Sequence, residues 1–394
     1  MRTRITRDVE IPDRVKLERY RRTPELGPRI LFFSGGTALR AASKALIRYT
    51  HNSIHLITPF DSGGSSAVIR QAFDMPAVGD IRNRLMALAD QSVKGNPEIF
   101  DLFAHRLPKD RDQARLREEL ESMAKGRHAL VQCIPDPMRK IIRNHFHLFL
   151  DAMPPDFDLK GASIGNLVLT AGYLSNRRQM DPVIYIFSKL AQVCGVVRPT
   201  LNKDLHLAAR LEDGRVVVGQ HRLTGKETGP LTSPIKDFWL TASLGSEEPV
   251  EPAIRSKIRD RILSADLICY PLGSFYSSVI ANLLPKGVGK AVCANPCPKV
   301  FVPNTTDDPE AMGLGVADQA RVLCETLKRS GAPDGKDGLG FVLIDSKNGN
   351  YPGGLDKKKL DRMGLETIDC QLVTREHSPL VDAHRLSEVL LSMT

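Results

Sequence analysis

The sequence predicts an α/β protein with a mainly parallel sheet, a β-hairpin and a helical insertion. Three observations lead there. Short apolar runs such as Ile-Leu-Phe-Phe at 30–33 stop at Gly- or Pro-containing turns. Helix-spaced apolar segments follow those turns, as crossovers between parallel strands require. The period switches within 196–223, where Leu205, Leu207 and Ala209 alternate and mark a hairpin.

Taken in order, Arg29–Phe33 reads as a buried strand ending in Ser34-Gly35-Gly36-Thr37, with a helix over Ala38–Tyr49. Ser53–Ile57 is the second strand. It runs into Thr58-Pro59-Phe60-Asp61-Ser62-Gly63-Gly64-Ser65-Ser66, and a helix follows over 80–90. Residues 93–160 hold charged and amphipathic helical segments (Arg115–Lys125, Met138–Met153) and no convincing strand, closed by Pro154-Pro155. Gly161–Arg177 and Pro182–Val193 are two more apolar helices. Leu205, Leu207 and Ala209 alternate, Glu212-Asp213-Gly214 turns, and Val216-Val217-Val218 returns. A polar stretch, Thr224–Pro252, precedes a helix at 253–264. The last third predicts a strand at Ala265–Tyr270, a helix ending at Leu284, a strand at Gly289–Ala294, a helix at 314–330 and a strand at Phe341–Ile344. The chain thus divides into a basic N-terminal arm (1–28), an α/β core (29–92 and 161–394) and a helical insertion within it (93–160).

Composition narrows the class. The chain has 394 residues, 42% hydrophobic and 26% charged, enough for a large core. No apolar run approaches the ~18–20 residues of a membrane span, and Met-Arg-Thr-Arg-Ile-Thr-Arg has no apolar stretch after it, so no membrane partner and a cytoplasmic location are expected. The seven cysteines are scattered, with Cys293 and Cys297 the only close pair, and are read as reduced structural thiols. The net charge is +9, and residues 1–29 carry nine Arg/Lys against five acidic residues. Aromatics do not interleave with these charges, so the arm is read as a solvated face and no nucleic-acid partner is expected.

The chemistry concentrates at the ends of the first two strands. Glycines let a backbone approach a ligand closely, and N–H groups at a helix start favour a phosphate. Asp61 and Asp80 add carboxylates for a hard cation, and Arg70, Arg82, Asn83 and Asn166 add polar contacts. The first loop lacks the Gly-Lys-Ser/Thr ending of a P-loop, and no Gly-x-Gly-x-x-Gly follows the first strand. What remains suits a nucleoside diphosphate with magnesium. Asp80 reads equally as a helix cap, and Tyr276 reads first as a packing residue.

Six motifs in series, spanning residues 29–390, resemble the CofD/YvcK family of 2-phospho-L-lactate transferase-like proteins. Asp61-Ser62-Gly63-Gly64-Ser65-Ser66 with Arg70, followed by Gly79-Asp80-Ile81-Arg82-Asn83, is similar to its central signature. Ser34–Thr37, Gly161–Leu167, the 199–219 hairpin, Gly273-Ser274-Phe275-Tyr276-Ser277-Ser278 with Asn282, and Ala383–Leu386 match in order. Ser62 stands for the family's second Asp, Ala77-Val78 for a Pro-Pro, and Ala162 for a His. The basic N-terminal arm and residues 93–160 lie outside the match, and these divergences resemble the CofD-like protein of the bacterial GAK system.

The resemblance implies a three-layer, Rossmann-like core with loops at the carboxyl ends of parallel strands. It further implies a GDP- or UDP-linked donor held with Mg2+, and transfer of a 2-phospho-L-lactate-like group to an acceptor hydroxyl, a deazaflavin in the CofD branch. Asp61 would be the catalytic and metal-binding residue. Ser34, Gly35, Gly36, Thr37, Gly63, Gly64, Ser65 and Ser66 would cradle phosphates. Arg70 or Arg82 would pair with phosphate oxygens. Asp80, Asn83, Gly165, Asn166, Gly273, Ser274 and Tyr276 would complete the nucleotide site. The alternative that the resemblance implies is a YvcK-like regulator of carbon metabolism or envelope synthesis that binds a nucleotide sugar without turnover. Family members often form homodimers, and one is expected here.

Overall fold

The computed structural model describes residues 8–92, 95–225, 229–333 and 336–394; residues 1–7 of the basic arm lie outside them. The chain forms β1 (Ile30–Ser34), β2 (Ile54–Ile57) and β3 (Val196–Pro199). It then makes a small group, β4 (His206–Leu211), β5 (Val216–Val218), β6 (Ile235–Thr241) and β7 (Pro249–Val250). It ends with β8 (Leu267–Tyr270), β9 (Lys299–Phe301), β10 (Phe341–Ile344) and β11 (Glu366–Asp369). Seven strands pair in parallel in the order β11-β10-β9-β8-β1-β2-β3, and the other four form an antiparallel sheet, β5-β4-β6-β7. The expected α/β, Rossmann-like architecture with its hairpin is what the chain adopts.

The near-continuous apolar strands are those of a sheet covered on both faces. Alternate residues of β1 point opposite ways. Ile30 and Phe32 join Leu267, Cys269 and Leu343 in a core closed by Arg40–Leu46 and Ala383–Ser392. Leu31 and Phe33 join Ile268, Tyr270, Val342 and Ile344 beneath Ser256–Leu263, Val288–Ala294 and Val316–Arg329. Residues Pro97–Ala104, Gln113–Ala124 and Met138–Ala152 stack on Ile164–Ser175 and Met180–Leu190 in a core that reaches the main sheet at Ile57 and Val197. Arg14–Arg22 of the arm is a helix capped by Asp13; it buries Leu17, and Lys16 Nζ donates to the Ser392 and Thr394 carbonyls at 2.8 and 2.7 Å.

The helix Gly64–Phe73, β9 and β11 are not among the expected elements, and three others differ from expectation. Gly289–Ala294 is a helix, Val288–Ala294, not a strand. Val288, Gly289, Ala291 and Val292 are its buried positions, and a seven-residue run with four of them buried scarcely reveals a helical period. A Cβ on Gly289 would collide with the Leu327 carbonyl, so the glycine sets the approach of that helix to Val316–Arg329. The region 196–223 supplies a main-sheet strand as well as the hairpin, since β3 pairs with β2 from Val196 to Pro199. An edge position tolerates its proline. Finally, β6 lies inside the polar stretch 224–252 and pairs with β4 along six residues, His206 to Leu211.

Candidate functional site

The chain grows outward from β1 in one direction through β2 and β3, and from β8 in the other through β9, β10 and β11. Loops leaving the carboxyl ends of neighbouring strands part at such a point and open a crevice. Here that crevice is a cleft of about 390 Å³, lined by Ser34–Leu39 after β1, Asp61 and Gly63 after β2, Asp80 and Asn83, and Leu272, Gly273, Ser274 and Ser278 after β8. Gln220, His221 and Thr224, which follow β5, form another part of its wall.

The first loop passes between two side chains. A Cβ on Gly36 would overlap the Asp80 carboxylate, and one on Gly35 would lie 2.5 Å from Ser278 Oγ. Glycine is therefore required by close approach rather than by an unusual φ. Buried Asn282 ties the two sides of the seam, donating from Nδ2 to the Ser34 carbonyl (3.1 Å) and the Ser278 carbonyl (2.7 Å), while its Oδ1 accepts from Thr200. Behind the loop lies Arg84, fully buried, which donates from Nη2 to the Gly35 carbonyl at 2.9 Å and from Nη1 to Ser43. Burial pulls this guanidinium down to about 10, with Asp80 acting the other way, so it stays a cation at neutral pH.

On the second loop, Asp61 Oδ1 accepts from the Gly63 N–H at 3.1 Å, just ahead of the helix Gly64–Phe73. Arg70 holds this loop from behind. It is 4% exposed, paired with Asp204 at 2.5 Å, and donates to the carbonyls of Phe60, Asp61 and Leu205. The third wall begins at Gly273, whose φ is +139. Asn304 clamps it, accepting from its N–H at 2.8 Å and donating to its carbonyl at 2.7 Å. Ser274 precedes the π-helical turn Phe275–Ile280. Asp308 accepts from the Phe275 N–H, and Glu310 accepts from both the N–H and the hydroxyl of Ser277. Burial, aided by Asp308, pushes the Glu310 carboxyl up to about 7.

Of the residues proposed from sequence, Ser34, Gly35, Gly36, Thr37, Asp61, Gly63, Asp80, Asn83, Gly273 and Ser274 line this one cleft. The others stand outside its lining. Gly64, Ser65 and Ser66 belong to the helix behind Gly63. Arg70 is committed to Asp204 and backbone carbonyls. Arg82 is buried, donates to Asn83 Oδ1 at 2.7 Å, and packs its stem where a Cβ on Gly165 would sit 2.8 Å from Cδ. Burial, aided by Arg106 and Arg40, pulls Arg82 down to about 10. Asn166 donates to Ser65 Oγ at 3.3 Å. Tyr276 packs against Phe275 and Phe238, and burial raises its hydroxyl to about 12. Gln220, His221, Thr224, Arg84 and Ser278 escaped the sequence reading. Only the Ser278 position lay within a motif that it used.

Among the described residues no group of three or more His, Cys, Asp or Glu could hold a metal ion by itself. Asp61 and Asp80 as an oxygen-only pair fit Mg2+, which takes one or two carboxylates and completes its shell with water and substrate phosphate. No described helix is long and apolar enough to cross a membrane.

Comparison with known proteins fits this geometry. The family described as 2-phospho-L-lactate transferase CofD matches residues 30–373. The gluconeogenesis factor of Bacillus subtilis (strain 168) is 28% identical over 384 residues, covering 93% of this chain and 98% of that protein. The gluconeogenesis factor of Listeria monocytogenes is 25% identical over 380 residues, covering 94% and 96%. A crystal structure of a UPF0052 family protein from Bacillus halodurans superposes with a TM-score of 0.69 at 24% identity, over 92% of this chain and 99% of that one, a likeness of fold.

Proposed function

The chain belongs to the 2-phospho-L-lactate transferase CofD family, and from that premise we propose that its cleft binds a nucleoside-diphosphate-activated donor together with Mg2+. In this reading it passes a phospho-hydroxyacid group to an acceptor hydroxyl. The observation that carries the reading is the meeting of the Ser34–Thr37 loop, Asp61, Asp80 and the Gly273–Ser274 turn in one crevice at the β1/β8 seam. Two buried guanidinium groups, Arg82 and Arg84, lie close enough to Asp80 to feel its charge, and their field favours an anion in the crevice.

The residues act by placement. Backbone N–H groups of the glycine loops would bind the diphosphate, and Asn83 and Ser274 would orient it. The acceptor oxygen forms a bond to the phosphorus that carries the hydroxyacid. The bond from that phosphorus to the nucleoside monophosphate breaks, and the hydroxyl proton passes to water. Asp61 and Asp80 would hold Mg2+, which when bound neutralises charge on the diphosphate oxygens.

A second reading, a nucleotide-sugar-binding regulator without turnover, is favoured by one observation. Ser62, where the family has a second carboxylate, is engaged with His221 and offers no charge to a metal. A thermal-shift panel of GDP- and UDP-linked compounds with and without Mg2+ tests both. A ligand at ~100 times its dissociation constant stabilises by about 2.7 kcal/mol. A Mg2+-dependent shift that Asp61→Ala abolishes, with release of nucleoside monophosphate when acceptor is supplied, is expected of the transferase. A shift with the ligand recovered unchanged supports the regulator, and no shift with any compound overturns both.

A further inference from the structure

His221 lines the cleft, and Ser62 fixes its ring from behind. Ser62 is 7% exposed. Its Oγ lies 2.8 Å from His221 Nδ1 and 3.2 Å from the His221 backbone nitrogen. The backbone N–H can only donate, so it uses one lone pair of the hydroxyl. The hydroxyl has a single proton, and among the described residues Nδ1 is the one acceptor within its reach. Donation from Ser62 to Nδ1 satisfies both groups; the reverse direction would leave the Ser62 proton without an acceptor among these residues. Gly219 keeps room for the ring: its φ is +102, and a Cβ there would lie 2.7 Å from His221 Cε1.

We propose that His221 is a ligand-contact residue of this cleft, held by Ser62 in the tautomer that carries its proton on Nε2, so that Nε2–H donates to a phosphate oxygen of the bound diphosphate. The proposal rests on the diphosphate reading of the cleft. A carboxylate in place of Ser62 accepts only, takes the proton of the neutral ring onto Nδ1 and leaves Nε2 of that ring a bare acceptor that repels phosphate oxygens. Ser62 is thus a positioning residue that makes the imidazole a donor without requiring it to be charged.

The test uses inorganic pyrophosphate with Mg2+ as the probe, followed by calorimetry on the full chain. Nitrogen-15 spectra of the imidazoles, with His221 assigned by loss of its signals in His221→Ala, report the tautomer in the absence of any ligand. Expected are an unprotonated Nδ1 and protonated Nε2 in wild type, a shift to the Nδ1–H form in Ser62→Asp, and pyrophosphate binding weakened about 10- to 100-fold by His221→Ala. Should His221→Ala not fold, Ser62→Asp carries the binding test and is expected to weaken it as well. An Nδ1–H tautomer in wild type overturns the proposal. So does wild-type binding of pyrophosphate that neither variant weakens, which leaves the cleft reading standing. Wild-type protein that ignores pyrophosphate overturns the diphosphate reading and this proposal together.

Discussion

Gly36 is where the site depends most on the size of one side chain. Adding a methyl group forces the Ser34–Thr37 loop away from the Asp80 carboxylate. Gly36→Ala should cost about 1–3 kcal/mol as an overpacked position and abolish pyrophosphate binding in a protein that still melts cooperatively. Unchanged binding would remove the loop from the site. Asn282→Ala should be the more damaging to stability, since it strands the carbonyls of Ser34 and Ser278 and the Thr200 hydroxyl inside the protein. A loss of about 2–4 kcal/mol in denaturant melts is expected. At this scale the sequence was legible where a residue type is unusual locally, as with the paired glycines that follow Asp61. It was misleading for Arg70. The charge sits beside the Gly/Ser loop, but its partner Asp204 lies 134 residues on, and nothing local announces that ion pair. His221 follows the hairpin with no motif around it, so the backbone alone carries it to the cleft.

The turn Phe275–Ile280 owes its start to carboxylates rather than to its own sequence. Asp308 and Glu310 accept its first N–H groups from a segment some thirty residues later. Glu310 is raised to about 7 from an unfolded value of 4.5. The folded protein therefore binds that proton more tightly than the unfolded chain. The stability it lends is fully present below about pH 4.5 and is lost as pH rises through about 7. That contribution is on the order of 3 kcal/mol. Glu310→Gln should flatten this part of the pH profile, so that stability relative to wild type improves from pH 5 to pH 8 in parallel melts; identical slopes would dismiss the titration. Element types were easiest to read where period and length agree, as in Val316–Arg329. They failed for Val288–Ala294, because a short apolar run fits a buried strand and a buried helix alike. β6 was hidden because two consecutive exposed residues, Lys236 and Asp237, break its alternation where its register with β4 shifts.

At the scale of the molecule, parallel topology was legible because buried strands alternating with helices have few other arrangements. Strand order was not, because it is decided by which distant strand lies beside β1. The arm also takes its meaning only here. Its basic residues suggested a solvated face, yet residues 14–22 lie on the last helix and reach its C-terminal carbonyls through Lys16. A cation there is favoured by the helix dipole. Leu17→Ala should cost about 2 kcal/mol and lower the melting temperature by a few degrees. An unchanged melt would mean that the helix is not docked in solution.

The seam between β1 and β8 also sets a timetable for synthesis. When the ribosome has delivered β7, the Ser34–Thr37 loop, Asp61, Asp80 and His221 are all outside, but β1 still has one open edge and the Gly273–Ser274 wall does not exist. The edge closes only when Leu267–Tyr270 arrives and pairs with Ile30–Phe32. Until then the nascent chain displays the open edge of an apolar strand next to a half-built crevice, the kind of surface that recruits chaperones or sticks to a neighbour. A ligand of the finished crevice would touch both sides of that late closure, and would act as a clasp on the last step of folding.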